Sequence, residues 1–159
     1  MIFSPQSKVW VYQSNREFST SEVTEIQKKL DAFTVQWLAH GQQLQAKAEI
    51  IYNFFIVITV DETASNVTGC SIDASVRVLK EIEQEYNVDL FDRFNLAYLM
   101  DGKVVTLSKE DFETLVSIKK ITPETIVFNN MVQTLNEFEN KWEIPFAQSW
   151  HNTVFSGLL

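Results

Sequence analysis

The apolar positions of this chain change period twice within its first fifty residues, and each change marks a new element. Val9, Trp10, Val11 and Tyr12 form a β-branched and aromatic run closed by the polar Ser14, Asn15 and Arg16, which predicts a strand over residues 8–13. Ser19 and Glu22 then stand at capping-box spacing, and Val23, Ile26, Leu30, Phe33 and Trp37 follow at steps of three and four. That spacing predicts one apolar stripe on a long helix. Gly41, which can adopt left-handed backbone without a Cβ clash, predicts its end near His40.

Over residues 44–50 apolar positions alternate with Gln45, Lys47 and Glu49, the pattern of a strand with one wet face. The most apolar run of the chain, residues 54–60, follows and reads as a strand at the centre of a sheet. Either a tight turn or a bulge at Tyr52 and Asn53 accounts for the change of phase between them. After a polar stretch over residues 61–69, Ile72, Val76, Leu79, Ile82 and Tyr86 predict a second amphipathic helix with Ser71 as its cap.

Residues 94–100 and 103–107 flank Asp101-Gly102, the pair best suited to the positive φ angles of a two-residue hairpin. Ser108 with Asp111 predicts a third helix burying Phe112, Leu115 and Val116, and residues 125–128 a strand after Pro123. Thr134 and Glu137 repeat the capping spacing, with Leu135, Phe138 and Trp142 as the apolar face of a fourth helix. Pro145 breaks the chain, and the tail over residues 146–159 is apolar enough to dock. Hairpins mixed with helical crossovers predict an α+β fold, a mixed or antiparallel sheet covered by amphipathic helices, as a single domain over residues 1–159.

Composition narrows the function classes. A chain of 159 residues with 45% hydrophobic positions has material for one core. Its net charge of −8 repels phosphate backbones and anionic lipid surfaces, so neither nucleic acid nor membrane is an expected partner. The start of the chain lacks the basic and apolar regions of a secretory signal, and Cys70, alone, cannot form an intrachain disulfide. A cytoplasmic protein is the resulting expectation.

Three places invite chemistry. Residues 54–62, ending in Asp61 and Glu62, have the form of a Walker B strand, but no GxxxxGK[ST] loop accompanies them to cradle a triphosphate. Gly69, Cys70, Ser71, Ile72 and Asp73 fall where a helix should begin, and unpaired amides at a helix start favour an anion such as a thiolate. His151 stands beside Trp150 and near Phe146, which could line an apolar pocket, whereas neither it nor His40 has a partner at metal-binding spacing. Trp10, Trp37 and Trp142 read as core, Glu81, Glu83 and Glu85 as a solvated helix face, and Tyr12, Gln13, Asn15 and Arg16 as groups that fix a turn.

The strings WVYQSNR (residues 10–16), VDE (60–62), GCSIDASV (69–76) and SWH (149–151) resemble a family of small bacterial proteins that carry the automatic label "ABC transporter ATPase". The resemblance spans nearly the whole chain but implies no activity. The label itself lacks support, because neither a Walker A loop nor an LSGGQ-type signature occurs here.

The expected function is a soluble binding or interaction module without a complete catalytic set, its partner a small molecule, another protein or a further copy of itself. Candidate ligand-binding residues are Gly69, Ser71, Asp61, Glu62 and Trp150. The alternative is a small thiol-dependent enzyme with Cys70 as nucleophile, His151 or His40 as base and Asp73 or Asp61 to orient it. A nucleotide hydrolase ranks last. No metal or cofactor is expected.

Overall fold

The first half of the chain runs β1 (Lys8–Gln13), α1 (Thr20–Gln36), β2 (Leu38–Ala39), β3 (Gln42–Gln43), β4 (Gln45–Ile51), β5 (Phe55–Asp61) and α2 (Gly69–Tyr86). The second runs β6 (Asn95–Met100), β7 (Lys103–Ser108), α3 (Lys109–Ser117), β8 (Ile126–Phe128), α4 (Leu135–Lys141), β9 (Glu143–Pro145) and α5 (Trp150–Phe155). The computed structural model describes residues 2–158. Met1 and Leu159, which bound the expected start and the expected docked tail, lie outside the described residues.

Strand β5 is buried along its whole length because both of its faces are covered. It lies between β1 and β4, antiparallel to each. Its alternation sends Ile56, Ile58 and Val60 toward α1 and α2, where they share a core with Ile26, Leu30, Leu79 and Ile82. Phe55 and Val57 point the other way. With Val9 of β1 they meet Ala97, Phe128 and Trp142, which belong to the second half of the chain.

That second half makes its own sheet, in the order β7-β6-β8-β9 and antiparallel at every pairing. Its far face carries Leu96 and Val127 against Phe112 and Val116 of α3, Phe155 of α5, and Ile121 and Phe146. The result is an α+β domain of four layers: α1 and α2, the first sheet, the second sheet, then α3 and α5. Where the sequence pattern predicts one sheet covered by helices, two sheets pack face to face, because the second apolar face of β5 is covered by strands. Between them, buried Gln13 donates to the Asn95 carbonyl at 2.9 Å and accepts from Asn130 at 2.8 Å. Asn130 in turn accepts from the Trp142 indole at 2.9 Å. This closed polar chain satisfies groups that burial would otherwise leave costly.

Most elements form for the reasons their sequences suggest. Ser19 and Glu22 make the capping box of α1, Thr134 and Glu137 that of α4, and Ser108 accepts from the Asp111 amide. Arg16 holds Glu22 with two 2.8 Å bonds and reaches the Tyr86 carbonyl, fixing the β1–α1 turn to the end of α2. Glu81 and Glu85 are exposed and meet Lys29 at 3.0 and 3.7 Å, while half-buried Glu83 accepts from the Leu90 amide.

Three details differ, and one open alternative is settled. Helix α1 stops at Gln36, since Trp37 turns to extended backbone (ψ 123) and its carbonyl accepts from the Leu44 amide. His40 (φ 53) and Gly41 (φ 76) therefore form the turn of the β2–β3 ribbon, not a helix cap. Tyr52 and Asn53 resolve as a turn, with φ 57 and 59. Thr68, not Ser71, caps α2; Ser71 sits in the first helical turn and completes the capping box. Finally, Pro145 ends a short edge strand, β9, that the sequence pattern does not reveal. No described helix is long and apolar enough to cross a membrane.

Candidate functional site

The end of α1 and the start of α2 meet around one side chain. Trp37 is almost fully buried, its ring 4.9 Å from that of Phe33, and its indole donates to the Ser71 carbonyl at 2.8 Å. This bond ties the two helix ends together. Beside it lies an open groove of about 330 Å³ lined by Phe33, Gln36, Trp37, Leu38, Cys70, Ser71 and Ala74. Leu38 is 52% exposed on its rim, and the Cys70 thiol is exposed as well. Cys70 is thus the second residue of α2, inside the first turn set by the Thr68 cap, and does not precede the helix.

The other predicted residues of this segment contribute less. Ser71 is buried, and its hydroxyl is occupied by Thr68. Gly69 is exposed, and a Cβ there would meet nothing within 4 Å, so the position does not require glycine for a close approach. Asp73 is exposed one turn beyond Cys70 and does not line the groove.

Asp61 and Glu62 are committed to the fold. The Asp61 carboxylate accepts from the Thr63 hydroxyl and amide and from the Ser4 amide, and these bonds, the Thr63 hydroxyl foremost, hold its pKa below the ordinary value. Glu62 accepts from the Val67 amide at 2.8 Å and pairs with Lys8 at 3.3 Å. Both acids of the Walker-like strand therefore organise the N-terminal segment and the loop before α2.

His151 lies elsewhere. It is 1% exposed in the core of the second half, stacked on Trp150 (3.9 Å between centroids), 5.5 Å from the Phe112 ring, with Nδ1 2.6 Å from the Ser149 hydroxyl. Burial pushes its pKa down to about 4, so the ring is neutral at physiological pH. The expected pocket between Trp150 and Phe146 is filled by packing, since Phe146, Phe112 and Phe155 share that cluster. Trp150 is half-buried, and its indole N–H finds no partner among the described residues.

The structure does not bring the proposed catalytic set together. Cys70 belongs to the α1–α2 layer and His151 to the α3–α5 layer, with both sheets between them. His40 is exposed at the tip of the β2–β3 ribbon and is not a lining residue of the groove. Among the described residues no three His, Cys, Asp or Glu side chains converge to hold a metal ion.

The sequence pattern does not reveal the groove wall, because Phe33 and Trp37 keep the period of the helix stripe and Leu38 falls outside it. The available signal was the pair Trp37-Leu38 directly before a Gly-containing turn. Comparison of the chain with models of known protein families, with curated proteins and with solved structures found no match.

Proposed function

We propose that this chain is a binding module whose contact surface is the groove between α1 and α2, and that the groove receives an apolar segment of a protein partner. One observation carries the reading: Leu38 and Cys70 are exposed beside the Phe33, Trp37 and Ala74 walls, so apolar surface is gathered at a concave place. Besides the thiol, the only lining group suited to proton transfer or nucleophilic attack is the Ser71 hydroxyl, which is buried and bonded to the Thr68 backbone.

The test uses Nile red, a neutral apolar dye, as probe. Native protein is expected to enhance its fluorescence saturably, and Leu38→Asp to abolish the enhancement while leaving the urea midpoint unchanged, because that side chain is exposed. Equal enhancement by both proteins, or none by the parent, would overturn the groove assignment.

A thiol-dependent activity is the second reading, favoured by the exposure of Cys70 in the first turn of a helix. The two readings part at Cys70→Ala. A binding groove keeps its dye, whereas a thiol enzyme loses its chemistry.

A further inference from the structure

Sheet edges present unpaired N–H and C=O groups, and folded proteins cover or blunt them. Three of the four edges of the two larger sheets are managed. Outside β1, the Val9 amide donates to the Gln133 carbonyl and the Leu135 amide to that of Ser7, with a bridge between Lys8 and Thr134. Outside β4, the Gln27 side chain donates to the Ala48 carbonyl at 2.8 Å, and charged Lys47 and Glu49 interrupt the strand. The edge strand β9 has three residues and ends in Pro145.

Strand β7 is different. It has six residues, Lys103–Ser108, with Val104, Val105, Thr106 and Leu107 all half-buried, and it pairs only with β6. Met100 and Lys103 flank the two-residue Asp101-Gly102 turn, so they form a hydrogen-bonded pair, as do Tyr98 with Val105 and Leu96 with Leu107. The alternation then turns the amides and carbonyls of Val104 and Thr106 outward. Neither residue has a further backbone or side-chain partner among the described residues.

We propose that the β7 edge is an interface between two copies of this chain, paired antiparallel about a two-fold axis at Val105. In that register Val104 of one copy faces Thr106 of the other, and the outward groups make about four hydrogen bonds across the axis. Val105 meets its own equivalent, a β-branched pair suited to cross-strand packing. The same register brings Asp101 of each copy to Lys109 of the other, so opposite charges meet at both ends of the joint. The two four-stranded sheets become one of eight strands, with no free edge at the centre. This face belongs to the second sheet and is independent of the groove between α1 and α2.

Sedimentation velocity of the full chain, from about 1 to 200 μM, tests the proposal, since a dimer shifts with concentration by mass action. The parent is expected to be dimeric at the upper end. Thr106→Pro removes an outward amide at an edge where proline is tolerated, and is expected to be monomeric with unchanged circular dichroism. Lys109→Glu gives up the exposed 3.8 Å pair with Glu113 within α3, a minor loss, and sets like charges against Asp101 of the second copy. It is expected to weaken the dimer about five- to tenfold at low salt. Adding Asp101→Asn, which suits the left-handed turn (φ 52), removes the repulsion and restores part of the loss. A parent that stays monomeric throughout overturns the proposal. So does a dimer whose affinity is the same in Lys109→Glu, and that arm decides the matter should Thr106→Pro fail to fold.

Discussion

Lowering the pH from 8 to 5 should destabilise this protein by about 2 kcal/mol through one imidazole. His151 is buried and its folded pKa is about 4, against 6.5 for the free side chain. A base whose folded pKa is depressed is neutral in the folded state and takes up its proton more readily when unfolded. Its contribution is therefore complete above the unfolded value near 6.5 and is lost as pH falls from there toward 4. The full displacement corresponds to about 3 kcal/mol, at roughly 1.4 kcal/mol for each pH unit, and about two-thirds of it is gone by pH 5. Stopping at pH 5 matters, because Glu22, whose pKa the Arg16 hydrogen bonds foremost hold down to about 2, adds its own loss only below about 4.5. The assay is the urea midpoint at half-unit steps between pH 8 and 5, for the parent and His151→Phe. The parent should lose stability as the pH falls, whereas His151→Phe, with no proton to gain, should give a flatter profile. A parent and His151→Phe falling in parallel would refute the assignment, as would an NMR titration placing the His151 midpoint near 6.5.

Two further expectations follow from the helix junction. Trp37→Phe keeps the ring beside Phe33 but removes the indole bond to the Ser71 carbonyl, and should cost about 1 kcal/mol, against about 3–5 for Trp37→Ala; equal urea midpoints for parent and Trp37→Phe would show that the bond contributes nothing. Cys70 is exposed, so a small maleimide should label it in native protein without prior unfolding, and His151→Ala should leave that rate unchanged. Protection of the thiol until global unfolding would contradict its place on the groove rim.

Local structure was legible wherever side chains act on their own backbone. Capping boxes at Ser19 and Thr134 and the Asp101-Gly102 turn depend on groups a few residues apart, so spacing alone specifies them. The Thr68 cap is not legible because its box is completed by Ser71 instead of Glu or Gln, which leaves Ser71 as the apparent cap. Helix α1 ends earlier than its period predicts for a different reason. Trp37 keeps the apolar period, but its side chain is held by α2, thirty-four residues on, and a periodicity argument cannot see that partner. The Tyr52-Asn53 turn was ambiguous because neither residue is glycine, yet both take left-handed backbone there.

The separation of Cys70 from His151 follows from the order of elements. Before residue 87 the chain builds one helix pair, the three-stranded sheet and the β2–β3 ribbon, and after Asn95 it builds the four-stranded sheet and its own helices, with residues 133–135 also bonded along the edge of β1. Each half folds its strands onto near neighbours: β4 onto β5 across a short turn, β6 onto β7 across Asp101-Gly102. A nucleophile on the first half's helix and a base on the second half's then sit on opposite outer faces, because each sheet turns its other face inward to the shared core of Phe55, Phe128 and Trp142. Two features of the sequence pointed this way: a strand apolar on both faces, which needs cover on each, and a second, self-contained set of hairpin and helix signals able to supply it. The groove draws only on residues 33–38 and 70–74 of the first half, so Cys70 lines it with neither of the chain's histidines beside it.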